Sequence, residues 1–84
     1  MMAEPPRLVV LSRGYCHLCD EMVEALRALQ ASRSFAFELR DVDEDPHLEA
    51  RYGERVPVLL AGEEELCHYR FEPAALNAWL AKFR

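Results

Sequence analysis

The sequence predicts an α/β fold in which a four-stranded mixed sheet carries helices on both faces, in the order β-α-β-α-β-β-α. Short apolar runs of strand length alternate with stretches whose apolar residues recur at three- and four-residue steps, as they do on one face of a helix. Turn-forming residues separate these segments. At 84 residues the chain has room for one domain, which we assign to residues 1–84.

The chain opens with a predicted β-α-β unit. Residues 7–11 form a mostly apolar run rich in β-branched side chains, which is typical of a buried strand. After a turn at residues 12–15, helical spacing continues from Cys16 to about Ala31. The apolar face of this helix consists of Cys19, Met22, Val23, Leu26 and Leu29. Residues 35–40 alternate with period two and predict a second strand, parallel to the first because such a crossover joins parallel strands.

The second predicted helix is short. Asp45 is a suitable N-cap, and Pro46 fits the first helical position, where no backbone N–H is needed. We expect this helix to run from Pro46 to Tyr52, with Gly53 as its C-terminal stop. The pattern does not separate His47 or Tyr52 from ordinary surface residues.

Two further strands and a helix complete the predicted fold. Residues 58–61 predict the third strand and residues 65–70 the fourth, which pair as an antiparallel hairpin. Glu72 and Pro73 open the last helix. Its buried face comprises Leu76, Trp79, Leu80 and Phe83, and its C-terminal end carries Lys82 and Arg84. Basic residues suit that end because the helix dipole is negative there.

Composition excludes several classes of function. The net charge is -5 and the ten basic residues are scattered, whereas binding to nucleic acid depends on clustered Lys and Arg. No apolar run approaches the ~20 residues that span a bilayer. Residues 1–7 also lack the apolar run of a signal peptide. We therefore expect a cytoplasmic monomer that has no nucleic-acid or membrane partner.

The strongest chemical signal is the motif Cys16-His17-Leu18-Cys19, at the predicted junction between the first strand and the first helix. Two cysteines three residues apart at a helix start lie on the same side, close enough to join. Free N–H groups and the positive end of the helix dipole stabilise a thiolate there. We predict that Cys16, at the tip, attacks disulfides and that Cys19, one turn later, resolves the mixed disulfide. A structural metal site and a pair of unreactive cysteines are the alternatives.

A second signal is Val56-Pro57, which precedes the third predicted strand. An X-Pro bond at such a position is a natural place for a cis peptide. A cis bond would leave the backbone of Val56 open to pair with an extended substrate. The alternative is a trans proline that only starts a strand. Together with the cysteine pair upstream, we favour the cis form.

Residues 12–19 (Ser-Arg-Gly-Tyr-Cys-His-Leu-Cys) and 55–57 (Arg-Val-Pro) resemble the corresponding segments of small glutaredoxin-like proteins, which have the thioredoxin fold. The resemblance covers nearly the whole chain. It implies thiol–disulfide exchange with disulfides of proteins or small molecules, no tightly bound cofactor, and glutathione as a candidate electron donor. It also implies that Arg13, in place of the usual Lys, helps to hold glutathione and that the backbone of Val56 pairs with the substrate.

Two segments depart from the glutaredoxin pattern. Glutaredoxins commonly place Pro-Tyr between the two cysteines, where this chain has His17-Leu18. They also follow the fourth strand with Gly-Gly and a nearby Asp, which hold the far end of glutathione. This chain has Tyr-Arg-Phe-Glu at residues 69–72.

Three further residues have open interpretations. Tyr15 is either one wall of a substrate groove or a local packing residue, and His17 either favours the Cys16 thiolate or has no partner. Cys67 is expected to be a small buried core residue, and the alternative is a partner in a regulatory disulfide. Its neighbour His68 should point to the opposite face of the strand, so the two cannot easily bind one metal ion.

The amino-acid sequence also leaves a second class of function open. The same scaffold without enzymatic activity could hold a metal or iron–sulfur cluster at Cys16, shared between two chains. Metal content of the purified protein would distinguish this binding module from the oxidoreductase.

Overall fold

The computed structural model describes residues 6–82, which form four strands and three α-helices in the predicted order. Their bounds are β1 Arg7–Ser12, α1 His17–Leu29, β2 Ala36–Asp41, α2 Pro46–Tyr52, β3 Val58–Ala61, β4 Glu64–His68 and α3 Pro73–Leu80. Two short 3-10 turns, Val42–Glu44 and Gly53–Arg55, flank α2. Phe83 and Arg84, which the sequence assigns to the last helix, lie outside the described residues.

The four strands form one mixed sheet in the order β2-β1-β3-β4. β1 and β2 are parallel, as the β-α-β pattern predicts, with Leu8 opposite Phe37. β3 runs antiparallel to β1, with Leu11 opposite Val58, and also antiparallel to β4. β2 and β4 therefore form the two edges of the sheet. The predicted α/β architecture is confirmed.

Side chains of the central strands are buried on both faces of the sheet. Leu8 and Val10 point to one face, where they pack with Met22 and Leu26 of α1 and with residues of α3. Leu11 points to the other face and packs with a cluster that contains Val42, Tyr52, Val58 and Leu60. The alternation follows the two-residue period of a strand. Helices cover both faces, so β1 and β3 are apolar along most of their length.

Local features of the structure differ from the sequence prediction. The fourth strand ends at His68 rather than at residue 70, because Tyr69 adopts a left-handed backbone with a φ of 65°. Tyr52 is buried, with 6% of its surface exposed, whereas the sequence did not separate it from surface residues. The short helix α2 lies against the sheet with Tyr52 on its buried side. Seven residues are too few for the spacing of apolar residues to indicate which side of the helix is buried. α1 ends at Leu29 rather than near Ala31, because the amides of Ser32 and Arg33 both donate to the Leu29 carbonyl and close the last turn.

Candidate functional site

Cys16 and Cys19 lie at the junction predicted for them. β1 ends at Ser12, and Cys16 is the N-cap of α1 with an extended backbone. Its Sγ accepts a hydrogen bond of 3.1 Å from the backbone N–H of Cys19. The Cα atoms of the two cysteines are 5.2 Å apart, and their Sγ atoms lie within disulfide-bonding distance. The two sulfurs are therefore close enough to join in a disulfide.

The two cysteines differ in accessibility. Cys19 is 3% exposed and belongs to the buried face of α1, whereas Cys16 is half-buried at the helix tip. Unpaired backbone N–H groups and the positive end of the helix dipole stabilise negative charge at the N-cap. Of the two cysteines, Cys16 is therefore the more exposed, and it lies where negative charge is stabilised.

Val56 and Pro57 lie at the same end of the central strands as the cysteine loop. The pairing of Leu11 with Val58 places the start of β3 beside the end of β1, from which the loop to Cys16 departs. The Val56–Pro57 peptide bond is cis. Pro57 is buried, and its carbonyl accepts a 2.9 Å hydrogen bond from the amide of Tyr69. The fold thus brings together the two segments that the sequence singled out.

Arg13 is held by partners within the chain. Its guanidinium donates to both carboxylate oxygens of Asp43 at 2.9 and 3.2 Å, to Glu49 at 3.1 Å and to the Gly53 carbonyl at 3.3 Å. The hydrogen bonds with Asp43 and then with Glu49 raise the pKa of Arg13 above its usual value. Arg13 therefore ties the cysteine loop to α2 and to the turn that leads into Val56.

This network also packs closely against Gly53. Gly53 is buried with a right-handed φ of -54°, so its backbone conformation does not require glycine. A Cβ atom there would collide with the Glu49 carboxylate and would lie 3.1 Å from Nη2 of Arg13. Glycine at position 53 leaves room for the side chains of Arg13 and Glu49 to pair beside the backbone of this residue.

Tyr15 and His17 flank Cys16 and are both exposed. Tyr15 has a φ of 58°, in the left-handed region that non-glycine residues rarely adopt, and its side chain is fully exposed. His17 is the first residue of α1. The aromatic ring of Tyr15 is thus exposed to solvent next to Cys16 along the chain.

The segment after β4 forms a feature that the sequence did not assign. Tyr69 has a φ of 65°, and its hydroxyl donates to the Glu54 carbonyl at 3.2 Å. Tyr69 and Phe71 line a groove of about 310 Å³ together with Leu18 and Met22 of α1. The residues that replace the glycine pair of glutaredoxins therefore build a partly apolar groove next to the cysteine motif.

Cys67 is buried in the core with 4% of its surface exposed, as predicted. Burial raises the pKa of its thiol above the usual value. His68 Nδ1 lies 2.7 Å from Oε2 of Glu65, and Oε1 of the same carboxylate accepts a hydrogen bond from Arg55 at 3.0 Å. Among residues 6–82, no three Cys, His, Asp or Glu side chains are arranged to hold a metal ion.

Within the same part of the chain, none of the helices has the length and apolar character needed to cross a membrane.

Comparison with known proteins identifies the family. The profile of the Glutaredoxin-like domain (DUF836) matches residues 7–81, which is nearly all of the chain. Two relatives are each 29% identical to this chain, an uncharacterized protein of Mycobacterium tuberculosis and an uncharacterized protein of Mycobacterium bovis. Those alignments cover 92% of this chain and 84% of each relative.

Solved structures show the same relationship. The solution NMR structure of protein Ne2328 from Nitrosomonas europaea is 42% identical with a TM-score of 0.83, and the match covers 94% of this chain and 95% of that one. The X-ray structure of target protein XcR50 from X. campestris is 38% identical with a TM-score of 0.68, covering 92% and 99%.

A more distant structure supports the fold alone. Thioredoxin 1 from Thermosipho africanus is 19% identical with a TM-score of 0.60, and the match covers 90% of this chain and 96% of that one. The arrangement of strands and helices agrees with that of a thioredoxin, and the matched profile covers both the cysteine motif and the proline loop. The chain belongs to the glutaredoxin-like domain family, on a thioredoxin-like fold.

Proposed function

We propose that this protein is a thiol–disulfide oxidoreductase in which Cys16 attacks and Cys19 resolves. The observation that carries the proposal is that two sulfurs within bonding distance of each other differ in accessibility. Cys16 is accessible at the N-terminus of α1, and Cys19 is buried one turn later. A nucleophile must reach its substrate, whereas a resolving thiol needs only to reach its neighbour.

The reaction transfers two electrons from the dithiol to the substrate. The Cys16 thiolate attacks one sulfur of a substrate disulfide, forming a mixed disulfide and expelling the other substrate sulfur as a thiolate, which takes up a proton. The Cys19 thiolate then attacks Sγ of Cys16, which breaks the mixed disulfide and releases the second substrate thiol. The protein is left with a Cys16–Cys19 disulfide, which an external thiol, glutathione or another dithiol, must reduce.

The surrounding residues have proposed roles in binding rather than in bond formation. The backbone of Val56, beside the buried Pro57, would pair with the extended chain of the substrate next to its cysteine. Tyr15 and His17 would contact the substrate on either side of Cys16, since both are exposed there. We propose that the protein acts as a monomer in the cytoplasm on disulfides of proteins or small molecules.

Arg13 has two candidate roles, and the structure favours one of them. The resemblance to glutaredoxins assigns it to glutathione, yet four hydrogen bonds to Asp43, Glu49 and Gly53 already engage its guanidinium. We therefore propose that Arg13 positions the cysteine loop against the loop of Val56. Contact with glutathione would require Arg13 to give up part of this network.

The first test separates the two cysteines. The reduced protein is mixed with bis(2-hydroxyethyl) disulfide, a small neutral substrate, and the products are trapped with acid and identified by mass. We expect Cys19→Ser to accumulate a mixed disulfide on Cys16, because the resolving step is absent. Cys16→Ser should form no adduct, because Cys19 is buried. Cys67→Ser, which alters the remaining cysteine, serves as the matched control and should cycle as the wild type does.

A redox titration gives the second readout. The protein is equilibrated with graded ratios of reduced and oxidised glutathione, and the thiols are trapped and counted by mass. Closure of the Cys16–Cys19 disulfide over a defined range would give the reduction potential. Cysteines that stay reduced in oxidising buffer, or that are blocked by bound metal or a cluster, would overturn the proposal in favour of a binding module.

A further inference from the structure

A second groove lies on the other side of the cysteine pair from the groove of Tyr69 and Phe71. It has a volume of about 380 Å³ and is bounded by the loop that precedes Cys16, the first turns of α1 and the end of β2. Cys19 forms part of its wall. Tyr15, which precedes Cys16, also lines the groove, so a polypeptide seated there would lie beside the cysteine motif.

The walls of this groove carry apolar side chains that are exposed. Tyr15 and Leu39 line it together with Val23. Tyr15 is fully exposed and Leu39 is 50% exposed, and within residues 6–82 the only other large apolar side chain that is exposed is Tyr69. Tyr15 also holds a left-handed backbone that disfavours a residue with a Cβ atom. Residues held in such sparsely populated backbone conformations cluster at active sites and ligand clamps.

The charge of the groove is negative. Asp20, Asp41 and Glu44 line it, and none of the three forms an ion pair within the part of the chain that the structure describes. Arg13 also borders the groove, but Asp43 and Glu49 already neutralise its charge. Asp41 accepts a hydrogen bond from the amide of Asp43, which leaves its negative charge in place.

We propose that this acidic groove docks the segment beside the reactive disulfide of a protein substrate, and that this segment carries Lys or Arg together with an apolar side chain. The apolar side chain would pack against Tyr15 and Leu39, and the cation would face Glu44 and Asp41. Charge complementarity selects this occupant over an anionic one such as oxidised glutathione. The inference rests on the proposed thiol–disulfide exchange and names its substrate class.

The test uses two peptides that differ only in charge. Each contains one cysteine and one Leu, flanked by two Lys in one peptide and by two Glu in the other. The cysteine is capped as a mixed disulfide with 2-mercaptoethanol, which is neutral. The reduced protein consumes this disulfide by the two steps described above and releases the peptide thiol and 2-mercaptoethanol. The second-order rate constants are measured at about 10 mM and about 150 mM ionic strength.

We expect the Lys peptide to react about tenfold or more faster than the Glu peptide at low ionic strength, since steering by a charged cleft has this magnitude. The ratio should shrink at about 150 mM, where exposed charges are screened beyond about 8 Å. Glu44→Gln should slow the reaction of the Lys peptide by about threefold at low ionic strength, the effect of one charge at about 6 Å in water, and should thereby lower the ratio.

Glu63→Gln is the matched control. It removes the same charge from the exposed turn between β3 and β4, at the end of β3 remote from Pro57, and should leave the ratio unchanged. Equal rates for the two peptides would overturn the inference, and so would an equal effect of Glu63→Gln, because the net charge rather than the groove would then select the substrate. Reaction with bis(2-hydroxyethyl) disulfide would leave the proposed function standing in both cases, whereas no reaction with any disulfide would overturn both.

Tyr15→Asn tests the apolar half of the groove. Asn tolerates a positive φ, so the midpoint of thermal unfolding should not fall. The reaction with the Lys peptide should slow several-fold because the aromatic wall is lost. A rate equal to that of the wild type would show that Tyr15 does not contact the substrate, and would overturn this part of the proposal.

Discussion

Among single residues, burial makes the three cysteines chemically different. Cys67 is enclosed in the core between the sheet and the helices, and burial raises the pKa of its thiol above 9.0. The unfolded chain loses this proton at a lower pH than the folded protein does. The stabilisation that the protonated thiol provides is therefore complete below about pH 9 and is lost as the pH rises from there toward the raised pKa.

This linkage predicts that the free energy of unfolding depends on the protonation of Cys67, which is the one cysteine that titrates in the disulfide form. We expect the free energy of unfolding to fall above about pH 9, by at most about 1.4 kcal/mol per pH unit from this group. Cys67→Ala should show a shallower decline, since its side chain has no proton to lose. Urea denaturation of the oxidised wild type and variant between pH 7 and 10.5 measures the difference. Parallel curves would contradict the prediction.

Among the secondary-structure elements, α2 has the clearest local signal. Asp45 Oδ1 accepts hydrogen bonds from the amides of His47 at 2.9 Å and Leu48 at 3.4 Å, and Pro46 occupies the first turn. Asp45→Ala should lower the free energy of unfolding by about 1 kcal/mol, because two amides lose their acceptor. Asp45→Asn keeps the acceptor oxygen and should lower it by less. Urea denaturation of both variants tests this, and equal losses would show that the charge matters rather than the cap.

The same elements show where sequence reasoning succeeds and where it stops. The bounds of α2 and β3 match the prediction because Asp45, Pro46 and the apolar run at residues 58–61 are local signals. The burial of Tyr52 depends on how α2 lies on the sheet, which a helix of seven residues does not encode in its own pattern. The end of α1 was also misplaced: the helix ends at Leu29, two residues before the predicted end near Ala31.

In the candidate site, too, the sequence predicted one part and missed another. The motif of Cys16 and Cys19 is local, so its position at a helix start could be predicted. The partners of Arg13 could not, because Asp43 is 30 residues away and Glu49 is 36 residues away along the chain. Only the folded sheet brings the cysteine loop and α2 together. Contacts of this range follow from tertiary structure rather than from any pattern in the sequence.

Over the whole molecule, the sheet separates two apolar clusters, one under α1 and α3 and one under α2. A chain of 84 residues buries a smaller fraction of its surface than a larger domain does. Typical domains have free energies of unfolding of about 5–15 kcal/mol, and a small domain lies toward the low end. Single core side chains therefore carry a large share of the total stability.

Leu26 and Leu39 provide a matched test of this distribution. Leu26 is fully buried between α1 and the sheet, whereas Leu39 is 50% exposed on the edge strand β2. Leu26→Ala should lower the free energy of unfolding by about 2–5 kcal/mol, because it removes buried methyl groups and leaves a cavity. Leu39→Ala should change it by about 0.5 kcal/mol or less. Urea denaturation of both oxidised variants measures the two losses. A loss at Leu39 equal to that at Leu26 would mean that Leu39 is packed in solution. It would then not be available to a substrate, and the acidic groove would lose one of its apolar walls.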